Sequence, residues 1–268
     1  MSTNKKNSQN VQNLFGAAQQ EGLLSPQSAA LVTVPDMGAQ VQAALGVSLD
    51  DITTSEVVLV SALVDDSGSI EMAGNTDAVV KGMNIITDAL LGSKQKNNVL
   101  AHCRYLNGKI LYPYVPIDQA ERLTHKNYGA NGGTPLYDQT AVMLATVLAK
   151  TQECADAGVP CRSVTVIITD GADVHSRTYH APERIAPIVA DLRRTEQHLV
   201  IAMGISDGVT DFVDIFTRMG IAREWILTPA NSESEIRKAF QVVSQSAVRV
   251  SQAAPQLLSQ VLAGGFTN

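Results

Sequence analysis

Two apolar stretches of this 268-residue chain, Val57–Val64 and residues 164–168, run almost straight into acidic turns. The first is followed by Asp65-Asp66-Ser67-Gly68-Ser69, the second by Thr169-Asp170-Gly171. Short apolar runs that do not alternate with polar residues read as strands buried on both faces. Such strands need helices above and below them, which restricts the chain to an α/β sheet.

The remaining pattern fits that frame. Helical spacings at Val79, Met83, Ile86 and Leu90, from Leu136 to Leu148, at Ile185, Ile188, Val189 and Leu192, at Phe212, Ile215, Phe216 and Met219, and over 232–248 alternate with strand-like runs. Those runs are Val99–Tyr105, 109–115, 199–203 and 225–227. Asn107-Gly108 between the first two is a strong hairpin signal. Ser232, with Glu235 three residues later, is a capping box. The order predicts a doubly wound, mostly parallel six-stranded α/β sheet with one antiparallel edge strand and helices on both faces.

Residues 51–250 hold this domain. Residues 1–50 read as an accessory segment: a disordered polar arm over 1–10, then three short helices. The helices are marked by Val11, Leu14, Phe15 and Ala18, by the Ser25-Pro26 start, and by residues 37–45 after Pro35. Residues 251–268 form a tail containing Pro255, Leu257, Leu258, Val261 and Leu262. These terminal segments are the expected places for self-association or for a private partner.

A net charge of −6 gives no electrostatic footprint for nucleic acid. No apolar run is long enough to span a bilayer. The polar start lacks a signal segment, so a cytoplasmic location is expected. Cys103 reads as a small buried hydrophobe. Cys154 and Cys161 flank a loop and can approach each other, but an intracellular chain would keep them as thiols.

Ligands of open α/β sheets bind outside the carboxyl ends of the strands. Asp65 and Asp170 share that edge if their strands are neighbours. Ser67 and Ser69 alternate in what reads as an extended turn, with Gly68 free to bend between them, and Asp66 points away to solvent. Thr134 arrives in Gly132-Gly133-Thr134-Pro135, just before a long helix. All five donors, Asp65, Ser67, Ser69, Thr134 and Asp170, are hard oxygens, suited to Mg²⁺, with Mn²⁺ or Ca²⁺ as alternatives. So few charged donors leave a cation electrophilic and ready for an incoming carboxylate.

The set Asp65-x-Ser67-x-Ser69, Thr134 and Asp170 resembles the metal-ion-dependent adhesion site of von Willebrand factor type A (vWA) domains. The resemblance covers roughly residues 55–248, including the element order and the hairpin. It implies direct coordination by Ser67 and Ser69, and by Thr134 when ligand is bound, with the two aspartates acting through water and hydrogen bonds. It also implies a Rossmann-like fold and a protein partner offering Asp or Glu. A non-catalytic subunit serving an AAA+ ATPase, in a remodelling or chelatase-type complex, is the alternative. The expected partner-binding rim is Glu71, Asn131, Asp173, His175 and Tyr179.

No catalytic residue or organic cofactor is expected. There is no Walker A loop and no nucleophile elbow. A metal-dependent hydrolase would have to use His175, the one histidine close in sequence to the motif.

Overall fold

β1 (Val57–Val64) is buried along its whole length and lies at the middle of a six-stranded sheet. Strands β2 (Val99–Tyr105), β3 (Ile110–Pro116), β4 (Cys161–Thr169), β5 (His198–Gly204) and β6 (Ile226–Leu227) complete it in the order β3-β2-β1-β4-β5-β6. All neighbours pair in parallel except β2 with β3. The expected α/β architecture is therefore the observed one, in a computed structural model that describes residues 2–34, 36–49, 54–253 and 258–266.

The hairpin turns at Gly108, whose φ of 88° favours glycine, while Asn107 Oδ1 accepts from the Lys109 N–H at 2.7 Å. β1 reverses its sheet order at β4, so the chain crosses from one side of β1 to the other. This switch point opens at the carboxyl edge.

Helices α5 (Thr76–Leu91) and α9 (Glu233–Gln252) pack together on one face. They meet closely because Gly82 leaves room for the Phe240 ring. Ser232 caps α9, its side chain accepting from the Glu235 N–H. On the other face α6 (Leu136–Asp156) lies against β1 and β4, and α7 (Ala186–Arg194) lies against β5. Helix α8 (Phe212–Arg218) fits beside β5, where Gly204 accommodates Phe212.

A further layer comes from α1 (Ser2–Gln20), α2 (Pro26–Val32) and α3 (Met37–Ala44). Val11, Leu14, Phe15 and Ala18 of α1 and Val41 of α3 are buried, and both helices lie against the outer side of α6. For that reason α6 is buried nearly all round, including Gln139, Thr140 and Lys150. Lys150 donates to the Val47 carbonyl at 2.6 Å and to Glu153 at 2.8 Å, which satisfies an otherwise costly buried ammonium. Ser25 caps α2 and also binds Asp191 of α7 through its N–H and its hydroxyl, both at 2.8 Å. The apolar faces expected to self-associate are thus covered within the chain.

One expectation changes. The polar stretch from residue 2 to 10 is part of α1 instead of a disordered arm. No Gly or Pro interrupts residues 2–15, and a helix docked at Val11–Ala18 already carries the cost of nucleation. The tail forms α10 (Leu258–Ala263) and docks on the body: Trp225 Nε1 donates to the Leu262 carbonyl at 2.7 Å, and Phe266 stands edge-on to Trp225. Pro35, Pro255 and Leu257 lie outside the described residues.

Gly46 fixes the accessory layer to the sheet edge. Its φ is 66°, and a Cβ there would sit 1.9 Å from the Tyr114 carbonyl oxygen. Gly46→Ala should lower the unfolding free energy by more than about 2 kcal/mol. Gly22→Ala, also at positive φ but facing open space, should cost only about 1 kcal/mol. Denaturant unfolding of both variants measures the difference.

Candidate metal centre

The β1–β4 pairing sets the site. Val64 stands opposite Ile168, and the Asp65 N–H donates to the Ile168 carbonyl at 2.9 Å. Asp65 and Asp170 therefore leave adjacent strand ends side by side.

Asp65 is fully buried, and its carboxylate is surrounded by donors. Oδ1 accepts from the Ser67 N–H at 2.7 Å. Oδ2 accepts from the Thr169 hydroxyl at 2.5 Å and from the Asp170 N–H at 3.4 Å. The Tyr128 hydroxyl, from the loop before α6, donates to the Asp65 carbonyl. Ser67 and Ser69 hydroxyls are 2.8 Å apart, and Ser69 donates to Asp170 Oδ1 at 2.6 Å. Four of the five expected residues are thus linked, Asp65 through the Ser67 backbone N–H and the other three oxygen to oxygen.

The local route differs from an extended turn. Ser67 is the last extended residue and occupies the N-cap position of α4 (Gly68–Met72) without a side-chain cap bond, so Ser69 lies in a helical turn. The hydroxyls converge across that corner, and Gly68 adopts helical geometry, leaving its wider backbone freedom unused.

Thr134 reaches the same place from the β3–α6 loop. Gly132 donates to the Asp66 carbonyl at 2.8 Å and accepts from the Gly68 N–H at 3.1 Å, bridging that loop to the Asp65 turn. A Cβ on Gly171 would lie 3.7 Å from Ser69 Oγ and 4.0 Å from Thr134 Oγ1, so both hydroxyls border one small space. All five expected residues are brought together.

The electrostatics are those of crowded acids. Burial raises the Asp65 carboxyl above the ordinary carboxylate range, against its hydrogen bonds to Ser67, Thr169 and Asp170. Burial also raises Asp170 to about 6, with repulsion from Asp65 and Asp207 adding to it and Ser69 opposing. A divalent cation beside the hydroxyls would reverse this repulsion, so the donor set fits a hard cation. Among the described residues no group of three or more His, Cys, Asp or Glu is placed to hold a metal ion.

Asp66 does not face solvent. It is 1% exposed, and its Oδ1 accepts from the Asn107 N–H at 3.0 Å, tying the hairpin to the site. Burial raises its carboxyl to about 6, and Oδ2 has no hydrogen-bond partner among the described residues.

The rim divides. Glu71, Asn131 and His175 are exposed, while Asp173 is half-buried. Asp173 Oδ1 accepts from the Tyr137 N–H at 3.1 Å, at the start of α6. His175 Nδ1 accepts from the Thr134 N–H at 3.0 Å, in a contact so close that a Cβ on Gly133 would strike the ring. Tyr179 leaves the rim altogether: it is 2% exposed and its hydroxyl donates to the Leu31 carbonyl of α2. The accessory helices, which sequence reasoning set apart from the domain, cover it.

Sequence reasoning missed several supports. Thr169 and Tyr128 position Asp65, and Asp207 adds negative potential from the loop after β5. Asp138 accepts from the backbone N–H groups of Arg177, Thr178 and Tyr179, latching the β4–α7 loop to α6. Of these, Thr169 had a readable signal, since it immediately precedes Asp170.

No protein-family model matches the chain. No curated protein matches it either. Solved structures do. The pilus adhesin SpaC from Lactobacillus rhamnosus GG, in its open conformation, aligns at 14% identity over 74% of this chain and 31% of its own, with a TM-score of 0.54. The mussel byssus protein PTMP1 with a zinc occupied MIDAS motif aligns at 16% identity over 72% and 46%, with a TM-score of 0.45. A von Willebrand factor type A structure from Catenulispora acidiphila aligns at 15% identity over 73% and 43%, with a TM-score of 0.42. The aligned region spans less than half of each of these proteins.

Thr169→Val keeps the shape of the side chain but removes the donor to Asp65. It should cost about 1–3 kcal/mol of stability, because a buried carboxylate loses a partner. Urea unfolding compared with wild type measures this.

Proposed function

With a vWA-type fold as the frame, we propose that this chain is a metal-dependent protein-binding module whose partner supplies an Asp or Glu side chain. The observation that carries the reading is the run of bonded oxygens from Ser67 through Ser69 to Asp170, with Asp65 held beside it by the Ser67 N–H and Thr134 bordering the same space. Ser67, Ser69 and Thr134 would hold the cation directly, and Asp65 and Asp170 would supply negative charge behind them. When bound, Mg²⁺, or Mn²⁺ or Ca²⁺ in its place, provides positive charge for an incoming carboxylate. The neutral hydroxyls leave that charge largely uncompensated on the outer side.

Glu71, Asn131 and His175 form the exposed surround in this reading. It fits the likeness in fold to a pilus adhesin. The reading assigns no catalytic role, and His175 serves in it as the residue whose Nδ1 accepts from the Thr134 N–H and holds that loop. Among the described residues no feature favours the AAA+ ATPase alternative. Free thiols at Cys103, Cys154 and Cys161 favour the reducing cytoplasm as its location. Among the described residues no helix is long and apolar enough to cross a membrane.

Calorimetric titration with MnCl₂ should show one ion per chain, weakened at least about tenfold in Ser69→Ala. Equal binding by wild type and variant would contradict the assignment. Immobilised wild type should capture from native lysate, in Mg²⁺, proteins that are lost both with EDTA and with Asp65→Ala. Partners retained in either condition would not be bound through this site.

A further inference from the structure

At the amino edge of the sheet, opposite the candidate metal centre, the end of α6 meets the start of β4 through a tight turn. The Val159 N–H closes it by donating to the Cys154 carbonyl at 2.8 Å. Cys161 Sγ lies 4.0 Å from Thr151 Oγ1. Thr151 and Cys154 are three residues apart on α6 and share a face, which directs Cys154 at the same sulfur. Cys154 is buried with Val57, Leu59, Leu100 and Tyr114 in a small apolar cluster, and Cys161 packs against it. A hydrogen bond between the two thiols lowers the Cys154 thiol and raises that of Cys161, while burial pushes both upward and the buried Lys150 ammonium favours thiolate at both.

Access is unequal. Cys154 is fully buried. Cys161 is half-buried and lines a surface cavity of about 270 Å³ with Pro160, Arg162, Thr195, Gln197 and Leu258.

We propose that Cys154 and Cys161 form a redox-reactive dithiol that exchanges with low-molecular-weight disulfides entering this cavity and closes to a disulfide across the 154–161 turn. Cys161 gives its proton to solvent as its Sγ attacks one sulfur of the incoming disulfide. That S–S bond breaks, one small thiolate leaves and is protonated by solvent, and Cys161 carries the mixed disulfide. Cys154 then gives its proton to solvent and attacks Cys161 Sγ, expelling the second small thiolate, which solvent protonates. In sum the chain loses two protons and two electrons, and the small disulfide is reduced to two thiols. Cys103, fully buried in β2, takes no part.

The test uses the folded full chain and glutathione disulfide. After incubation the protein is denatured, alkylated and digested with trypsin. Residues 151–162 form one peptide containing both cysteines, because Lys150 precedes it and Arg162 ends it. The expected peptide is lighter by two hydrogens, resists alkylation and becomes doubly alkylated after dithiothreitol, while Cys103 is alkylated without it. Cys154→Ser should stop with glutathione on Cys161. A doubly alkylated wild-type peptide, a lasting glutathione adduct on wild type, or a disulfide joining two chains would overturn the proposal. Modification of Cys103 at an equal rate would also overturn it, because the exchange would then report unfolding.

Discussion

The pairing of β1 with β4 is the constraint on which the site depends. Two parallel strands in register deliver Asp65 and Asp170 to one edge, and the Asp65 N–H bond to Ile168 fixes their relative height. Everything else at the site is arranged around two acids that repel each other. Thr169 and the Ser67 N–H satisfy Asp65, Ser69 satisfies Asp170, and Tyr128 anchors the Asp65 backbone. A single register slip of β4 would turn every one of its side chains to the opposite face and dissolve the arrangement.

Much of this was legible because the signals are local. The Val57–Val64 run, the Asn107-Gly108 turn and the Ser232 cap each declare themselves within a few residues. Asp65 and Asp170 were legible as acids at neighbouring strand ends, and Ser67, Ser69 and Thr134 as hydroxyls in the loops and turns beside them. What sequence could not supply were contacts between distant parts of the chain. Tyr179 looks like an exposed loop tyrosine until Leu31, on a helix far earlier in the chain, closes over it. Asp66 looks like the solvent-facing partner of Asp65 until the hairpin backbone folds onto it. Ser67 and Ser69 were expected to align by alternation, yet they meet across a helical corner.

The accessory helices carry the same lesson. Their short apolar faces cannot build a core alone, which makes them look available to partners. In the fold they cover α6, the Val47 carbonyl just after α3 accepts from the buried Lys150, and the segment reaches the β4–α7 loop through Leu31 and α7 through Ser25. They therefore belong to the framework that holds His175 and, through it, Thr134.

Anomalous diffraction from Mn²⁺-soaked crystals addresses the central claim most directly. The account predicts a single strong peak beside the Ser67, Ser69 and Thr134 hydroxyls, with at least one coordination position facing solvent. A map without a peak there, or an ion enclosed entirely by this chain's own atoms, would contradict it.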